Sequence, residues 1–340
     1  MWVSDLRAYY RTASGQDVRA VDGVTLDVRE GEVLGIAGES GCGKSTLASI
    51  LALTGQRSLV VRGGEFGFDG RKVDLTDLPH VPRDWRGKLV ALLPQRAMNS
   101  LNPTARIRDL AFDTIHAHEP KITRREAIER TRQRLEQLSL PPRVIDSYPH
   151  QLSGGMRQRV VAVISTLLNP KVLIADEPSS ALDVSSQKLL VELLQTLLAQ
   201  GFITRIVFIT HDLPLLSNVA DRIAIMYAGK VVELGPTAQI VNRPEHPYTK
   251  ALIGSMLDPD PHHRRIRIEG LPGSPPDLRN PPSGCRFHPR CRYAMDVCTR
   301  EDPPKVGTDE QFAACWWVQR EKGTIEGVAG ESRATITASA

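Results

Sequence analysis

The stretch G-E-S-G-C-G-K-S-T, from Gly38 to Thr46, follows an apolar run and precedes a helix-compatible segment. Its glycines let several backbone N–H groups point inward, and the N-terminus of the following helix favours negative charge. Lys44 is placed to reach the β- and γ-phosphates of a nucleotide, and the Ser45 hydroxyl to ligate Mg²⁺. The expected nucleotide contacts in this loop are Ser40, Gly41, Cys42, Gly43, Lys44, Ser45 and Thr46. By itself, such a loop suits a kinase, a GTPase, a helicase or a transporter motor.

Two adjacent carboxylates, Asp176 and Glu177, end the apolar run at residues 172–175. In a phosphate-loop protein the first carboxylate, Asp176, is placed to hold the hydration shell of Mg²⁺. The second, Glu177, sits where it can polarise an attacking water. A strand followed by a solvated acidic turn is the alternative interpretation, because strands commonly end in this way.

Residues 152–159 read L-S-G-G-M-R-Q-R, and a serine and two glycines open a predicted helix there. Ser153, Gly154 and Gly155 therefore offer a second anion-binding helix terminus in the same chain. An ordinary helix N-cap is the alternative interpretation of this segment.

Four of the five cysteines lie near the C-terminal end, with the spacing C-x₅-C-x₆-C-x₁₆-C. They are Cys285, Cys291, Cys298 and Cys315. Cysteines gathered in this way in a cytosolic protein indicate a metal site before they indicate disulfides. Four thiolate ligands in a tetrahedral arrangement suit zinc or an iron–sulfur cluster. The closely spaced cysteine pairs that are usual for zinc sites are missing from this sequence. The wider spacing, around arginine and aromatic residues, favours a [4Fe–4S] cluster, with zinc or with free thiols and disulfides as alternatives.

The composition is that of a soluble globular protein of about two domains, with 340 residues, 41% hydrophobic and 24% charged. The net charge of +4 is mild and the basic residues are scattered, so nucleic acid is not indicated as a partner. The chain begins without a recognisable secretory signal, and its apolar runs are too short to span a bilayer. These features predict a cytoplasmic location.

The pattern of elements predicts an α/β fold. Residues 1–35 read as strands of an antiparallel layer, residues 105–138 as helical, and residues 156–210 alternate helix and strand. This alternation favours a mainly parallel, doubly wound sheet. Proline becomes dense after residue 242, which indicates a loop-rich appendage, and residues 322–340 are poor in large apolar groups and predicted to be disordered.

Taken together, these motifs resemble those of the nucleotide-binding subunits of ATP-binding-cassette (ABC) transporters. The sequence L-S-G-G-x-x-Q-R is highly specific for that family. Gln95 matches the family's glutamine that touches Mg²⁺ and contacts the membrane subunits. His211, which follows a predicted strand, matches the histidine that contacts the γ-phosphate. Ser180 and Asp183 match the loop at the dimer interface. Tyr10 best matches the aromatic residue that stacks on adenine, with Tyr9 a weaker candidate and a core position the alternative for either.

The resemblance covers roughly residues 1–320 and extends to the di- and oligopeptide importers. Three segments carry it: residues 94–103, residues 246–252, and the cysteine-containing stretch 285–298. The same subfamily includes nickel importers, so both cargoes stay open. Cys42 departs from the serine of many relatives, and we expect it to be tolerated because only its backbone is needed in the turn.

The resemblance implies a phosphate-loop NTPase core with an antiparallel β subdomain and an α-helical subdomain at about residues 97–168, together spanning 1–242. A small cysteine-rich appendage at 243–321 and a disordered tail at 322–340 follow. We expect the appendage to lack a core of its own and the phosphate loop to be built on a separate core, so that ATP binding survives loss of the cluster.

The family mechanism implies two cassettes that clamp two ATP molecules, the phosphate loop of each facing the 153–155 helix end of the other. The partners implied are a second, distinct ABC ATPase subunit, two transmembrane permeases and an extracytoplasmic solute-binding protein. The chain would then lie at the cytoplasmic face of the membrane. Cassette ATPases of translation or DNA repair usually carry two cassettes or a long coiled-coil insertion, and exporters usually carry fused membrane spans; these 340 residues contain neither.

Overall fold

The computed structural model describes residues 1–55, 58–95, 100–180, 182–255 and 271–323, and it is built from two β-sheets and surrounding helices. The strands are β1 (Trp2–Arg11), β2 (Asp17–Asp27), β3 (Val33–Ala37), β4 (Leu59–Phe68), β5 (Arg71–Asp74), β6 (Val90–Leu93), β7 (Val172–Asp176), β8 (Arg205–Ile209), β9 (Arg222–Tyr227), β10 (Lys230–Pro236), β11 (Lys305–Gly307) and β12 (Phe312–Ala314). The α-helices are α1 (Lys44–Leu51), α2 (Ile107–His116), α3 (Arg124–Gln137), α4 (Gly154–Ser165), α5 (Val184–Ala199), α6 (Leu213–Val219), α7 (Thr237–Asn242), α8 (Pro247–Gly254), α9 (Asp296–Arg300) and α10 (Trp316–Glu321).

The smaller sheet is the antiparallel layer that the first residues predict, with the strand order β2-β1-β4-β5. Leu6 and Ala8 of β1 are buried because alternate side chains of a strand point to the same face, and an irregularity between Val3 and Leu6 lets Val3 be buried as well. The same alternation sends the side chains of Tyr9 and Tyr10, at the end of β1, to opposite sides of the sheet.

The larger sheet has eight strands in the order β11-β12-β10-β9-β3-β8-β7-β6. The strands from β9 to β6 run parallel, as the alternation of strands and helices predicts. Their carboxyl ends meet at one edge, so the phosphate loop after β3, the acidic pair after β7 and His211 after β8 lie close together.

The remaining strands of the larger sheet, β10, β12 and β11, are antiparallel. Because β11 and β12 pair onto β10, the C-terminal region extends the main sheet. Phe287 and Phe312 of this region are 3% exposed and belong to the hydrophobic cores on either side of that sheet. The C-terminal region thus packs on the same sheet as the phosphate loop: a β10 edge left open would expose unpaired backbone groups, and the C-terminal strands cover it.

The helical segment predicted at residues 105–138 is divided into two helices, α2 and α3. Pro120 lies in the break, and Thr123 caps α3 by accepting a hydrogen bond from the Glu126 N–H at 3.3 Å. The longest helix, α5, has 16 residues, and none of the helices in the described ranges has the length and apolar character needed to cross a membrane. Residues 97–99 of the predicted helical subdomain and 324–340 of the predicted tail lie outside the described residues.

Candidate functional site

The phosphate loop joins the fully buried strand β3 to helix α1. Gly43 has a φ of 107°, and a Cβ atom at this position would lie 1.9 Å from the carbonyl oxygen of Ala20. Gly38 is equally restricted, since a Cβ atom there would lie 2.1 Å from the carbonyl oxygen of Met226. The two glycines are therefore required by the close approach of neighbouring backbone as well as by the turn itself.

Lys44 and Ser45, at the start of α1, point toward the loop and the acidic pair. Lys44 is 5% exposed, and its Nζ donates to the carbonyl oxygens of Gly38 at 2.7 Å and Glu39 at 3.0 Å. The Ser45 hydroxyl donates to Oδ1 of Asp176 at 3.2 Å. Burial raises the pKa of Asp176, and the hydrogen bond from Ser45 opposes that rise. A hydroxyl and a carboxylate this close form an oxygen set that suits Mg²⁺.

Glu177 brings together the other residues expected to act on the γ-phosphate. Its Oε1 lies 3.3 Å from Nδ1 of His211, and its Oε2 accepts a hydrogen bond from Nε2 of Gln95 at 3.2 Å. Glu177 has a φ of 44°, a left-handed conformation that residues other than glycine rarely adopt. Its N–H donates to the carbonyl oxygen of Ile209 at 2.8 Å, which fixes this conformation. Backbone strain of this kind is typical of functional positions.

A cavity of about 420 Å³ opens over the phosphate loop, with Gln95 and Glu177 on one side. Tyr10 lines it, and the Tyr10 hydroxyl accepts a hydrogen bond from Thr46 at 3.3 Å. Tyr9 instead donates to Asp22 at 2.6 Å and lines a second cavity of about 930 Å³, whose walls contain none of the phosphate-loop residues. The geometry thus favours Tyr10 over Tyr9 as the adenine-stacking residue.

The apolar part of the nucleotide cavity contains a residue that the motifs did not indicate. Leu278, from the C-terminal region, lies in the wall together with Tyr10, Val18 and Ala20. Its carbonyl oxygen accepts a hydrogen bond from the Arg19 N–H at 2.9 Å. A proline-rich segment such as residues 271–282 has no periodicity that would place one of its side chains in a site, so sequence reasoning missed Leu278.

A helix begins at Gly154 as the sequence predicts, and the Ser153 side chain caps it by accepting a hydrogen bond from the Met156 N–H at 3.3 Å. Gly155 packs against α5, where a Cβ atom would lie 2.7 Å from the Ser186 hydroxyl. Among the described residues that line the nucleotide cavity, none comes from 153–155. The structure therefore does not bring this terminus to the chain's own phosphate loop.

Ser180 and Asp183 lie between Glu177 and helix α5. The Ser180 N–H donates to the carbonyl oxygen of Glu177 at 3.1 Å, and Asp183 caps α5 by accepting from the Ser186 N–H at 2.8 Å. That hydrogen bond lowers the pKa of Asp183, so the side chain stays ionised at neutral pH. Ala181, between them, lies outside the described residues.

Cys42, the departure within the phosphate loop, is 5% exposed. Its Sγ lies 3.8 Å from Nζ of Lys44, and burial raises the pKa of the thiol. Cys42 is not among the described residues that line the nucleotide cavity, and it belongs to a buried hydrophobic cluster with Leu47 and Met226. The expectation that Cys42 contacts the nucleotide is thus limited to its backbone.

The four C-terminal cysteines are free thiols that converge in one part of the structure. Burial raises the pKa of Cys285 to about 12 and that of Cys291 to about 11, and the neighbouring thiols of Cys298 and Cys315 add to both shifts. The Tyr293 N–H donates to Sγ of Cys291 at 3.4 Å.

Within the described ranges, however, no three His, Cys, Asp or Glu side chains lie close enough to hold one metal ion. The structure therefore does not support the predicted metal site as a single-ion site such as one for zinc, and the iron–sulfur cluster stays a proposal.

Comparison with known proteins gives two family matches. A model described as "ABC transporter" matches residues 21–180, and one described as "Oligopeptide/dipeptide transporter, C-terminal region" matches residues 232–298. The second match begins within β10 and ends at Cys298, so it covers most of the segment in which the sequence predicts an appendage.

Curated relatives resemble nearly the whole chain. The dipeptide transport ATP-binding protein DppD of Caldanaerobacter subterraneus subsp. tengcongensis is 42% identical over 315 residues, which are 92% of this chain and 95% of the relative. The oligopeptide transport ATP-binding protein OppD of Bacillus subtilis is 39% identical over 330 residues, 95% of this chain and 90% of the relative. The oligopeptide transport ATP-binding protein OppF of Escherichia coli is 36% identical over 325 residues, 92% of this chain and 94% of the relative.

Solved structures agree on the fold. A bacterial ABC transporter cassette in its dimeric form aligns with a TM-score of 0.59 at 24% identity, covering 69% of this chain and 98% of the cassette. The same cassette bound to ADP and inorganic phosphate, in a post-hydrolysis state, aligns with a TM-score of 0.58 at 25% identity over the same share of each chain.

Proposed function

The chain belongs to the ABC transporter family and is an ABC ATPase with an oligopeptide/dipeptide transporter C-terminal region, and on that premise we propose that it hydrolyses ATP to drive import of di- or oligopeptides. The observation that carries the proposal is the convergence of Lys44, Ser45, Asp176, Glu177 and His211 at one edge of the parallel sheet. These groups supply a phosphate cradle, a metal ligand set and a base, which are the parts that ATP hydrolysis requires.

Lys44 and the backbone N–H groups of the phosphate loop bind the phosphates, because both present positive charge at the N-terminus of α1. Ser45 and Asp176 would hold Mg²⁺, with Gln95 as a further ligand. When bound, the ion neutralises charge on the β- and γ-phosphate oxygens. The tyrosine ring of Tyr10 supplies an apolar face for adenine.

Glu177 acts as the general base by accepting a proton from the attacking water. Nδ1 of His211 and Nε2 of Gln95 lie within 3.3 Å and 3.2 Å of its two oxygens and orient the carboxylate. His211 has 62% of its side chain exposed, so it can turn from Glu177 toward a γ-phosphate when the nucleotide binds. Such positioned groups typically contribute 10²–10⁴-fold to a rate.

We propose that the working form contains two cassettes. The 153–155 terminus lies outside the chain's own nucleotide cavity. In a pair of cassettes, the 153–155 terminus of each chain would meet the γ-phosphate bound by the other, and Ser180 and Asp183 would contact the partner. Enclosure between two chains excludes water and strengthens each electrostatic contact. The partner we propose is a distinct homologous ABC ATPase subunit, bound with it to two transmembrane permeases at the cytoplasmic face of the membrane, with an extracytoplasmic solute-binding protein delivering the peptide.

We further propose that Cys285, Cys291, Cys298 and Cys315 hold a [4Fe–4S] cluster. Support comes from the proximity of the four thiols, which raises the pKa of Cys285, and from backbone N–H groups that meet the sulfurs of Cys291 and Cys315. Tyr293 donates to Cys291, and the N–H groups of Trp317 and Val318 act on Cys315. Hydrogen bonds to the sulfurs tune and stabilise iron–sulfur clusters. When bound, the cluster would cross-link loops that have few apolar side chains of their own.

The function is tested by reconstituting the chain in liposomes with two permeases, a second ABC ATPase and a solute-binding protein of the same cell, with ATP trapped inside. The proposal is supported if a labelled dipeptide is taken up with the wild-type chain and is not taken up when the Glu177→Gln variant replaces it. ATP hydrolysis without uptake of any peptide, but with uptake of Ni²⁺ delivered by the binding protein, would identify a metal importer instead.

A further inference from the structure

Glu39, the second residue of the phosphate loop, is held at three points. Its N–H donates to the hydroxyl of Tyr248 at 2.9 Å. Its carboxylate accepts hydrogen bonds from both terminal nitrogens of Arg290, at 2.7 and 3.0 Å, and such a bidentate pair fixes geometry as well as charge. Its carbonyl oxygen accepts from Nζ of Lys44 at 3.0 Å. The first two contacts come from the C-terminal region, so that region touches the phosphate loop directly.

Both C-terminal partners of Glu39 are rigidly placed by a buried aromatic cluster, which consists of Tyr227, Tyr248 and Phe287. The ring centroids are 4.6 Å apart between the tyrosines and 5.2 and 5.4 Å from the phenylalanine. All three residues are at most 3% exposed. Arg290 also donates to the Tyr227 hydroxyl at 3.2 Å and to the carbonyl oxygen of Pro272 at 2.6 Å. A guanidinium with these anchors gives Glu39 a defined position.

The pair of Arg290 and Glu39 also balances charge where phosphates must bind. Only 6% of the Arg290 side chain and 21% of the Glu39 side chain are exposed, so water screens this pair less than a surface pair. Glu39 precedes Ser40, which lines the nucleotide cavity. Without Arg290, an unpaired carboxylate would remain beside the anion site and would repel the nucleotide.

We propose that Arg290 is a positioning residue for nucleotide binding: through Glu39 it fixes the phosphate loop in the shape that receives phosphates and neutralises the carboxylate that the loop itself carries. Tyr248 supports the same residue from its backbone side. Arg290 is not among the described residues that line the nucleotide cavity, so it acts through Glu39. If Arg290 served only to dock the C-terminal region on the core, its loss would lower thermal stability and leave the affinity for nucleotide unchanged in folded protein.

The test measures the dissociation constant of MgADP for the full-length chain by titration calorimetry, at a temperature well below unfolding of every variant. We expect Arg290→Ala to raise the dissociation constant about tenfold, the usual effect of losing a charge-assisted hydrogen bond at a partly buried site. Arg290→Lys keeps the charge but not the fork, so its constant should lie between those of the wild type and the alanine variant. Arg320→Ala is the matched control. Arg320 is another arginine of the C-terminal region that pairs with a glutamate, Glu321 at 3.7 Å, but 54% of its side chain is exposed.

A double-mutant cycle with Glu39→Ala separates positioning from other effects of Arg290. If Arg290 acts through Glu39, the double variant binds MgADP no more weakly than Arg290→Ala alone. Full additivity of the two losses overturns the proposal, as does an affinity within twofold of the wild type in Arg290→Ala with a lowered unfolding temperature. If Arg290→Ala does not fold, the affinity for MgADP is measured in Arg290→Lys and Glu39→Gln instead. Wild-type affinity in both variants overturns the proposal.

Discussion

The Glu177 carboxylate lies 3.3 Å from Nδ1 of His211, although 34 residues separate them in the chain. Gln95, 82 residues before Glu177, reaches the other carboxylate oxygen at 3.2 Å. The parallel strands β7 and β8 produce the first contact, because residues that follow adjacent strands meet at the carboxyl edge of a sheet. The base is thus held from two directions.

Replacing the base should separate binding from turnover. Glu177→Gln keeps a side chain of the same shape, so we expect MgATP to bind as in the wild type while ATP hydrolysis by the assembled complex falls by 10²–10⁴-fold. Phosphate release measures turnover, and calorimetry measures binding. Glu192→Gln is the control, since Glu192 lies on α5 with 54% of its side chain exposed. Turnover within about tenfold of the wild type would remove Glu177 from the role of general base.

Lys44→Ala should weaken nucleotide binding itself. The change deletes a positive charge from the phosphates and also the hydrogen bonds from Nζ to the carbonyl oxygens of Gly38 and Glu39. We expect the dissociation constant of MgADP to rise at least about tenfold. Lys188→Ala, at a site with 79% of the side chain exposed, serves as the control. An unchanged affinity in Lys44→Ala would show that this residue does not bind the phosphates.

Leu278→Ala tests whether the C-terminal region touches the nucleotide. Loss of the apolar side chain beside Tyr10 and Val18 should raise the dissociation constant of MgADP about three- to tenfold, in line with the apolar area removed. Pyrophosphate has no base or ribose, so its binding should stay the same. Equal losses for both ligands would mean that the substitution disturbs the phosphate loop instead of the base-binding wall.

The phosphate-binding half of the site could be predicted from the sequence because its chemistry requires fixed local spacing. Lys44 and Ser45 must follow the glycines directly, and Asp176 and Glu177 must follow an apolar strand. The family resemblance preferred Tyr10 over Tyr9, but the physical reason needed the structure, because the two tyrosines are adjacent in β1 and only Tyr10 lines the cavity over the phosphate loop.

The contribution of the C-terminal region could not be predicted because it depends on contacts between distant residues. Arg290 and Glu39 are 251 residues apart, and no local pattern relates them. Strands β11 and β12 have three residues each, too few to show a period of two. Composition therefore indicated a loop-rich appendage, whereas edge pairing with β10 decided its place in the fold.

The cysteine proposal predicts that protein purified without oxygen is brown and contains about four irons per chain, because four thiolates suit [4Fe–4S]. Changing any one of Cys285, Cys291, Cys298 or Cys315 to serine should remove most of the iron. Cys42→Ser is the matched control and should keep all of it, since Cys42 lies beside Lys44 in the phosphate loop. Colourless protein with no metal, and serine variants of equal stability, would contradict the proposal.

His246 predicts how stability depends on pH. It is 1% exposed and caps α8, with Nδ1 accepting from the Tyr248 N–H at 3.0 Å. Burial lowers the pKa of His246 to about 3, against about 6.5 in an unfolded chain. Between these two values the unfolded state binds a proton that the folded state does not, so the free energy of unfolding falls as the pH drops below about 6.5. From pH 7 to pH 5 this group should account for about 2 kcal/mol of lost stability.

His246→Asn tests this dependence, because asparagine keeps an acceptor for the Tyr248 N–H and removes the titrating group. Urea unfolding at pH 7 and pH 5 should show that the acid-induced loss is smaller in the variant by about 2 kcal/mol. His80→Asn, with 81% of the side chain exposed, should lose as much stability as the wild type. An equal loss of stability between pH 7 and pH 5 in His246→Asn and in the wild type would contradict the prediction. It would mean that His246 is protonated at pH 5 in the folded protein as well.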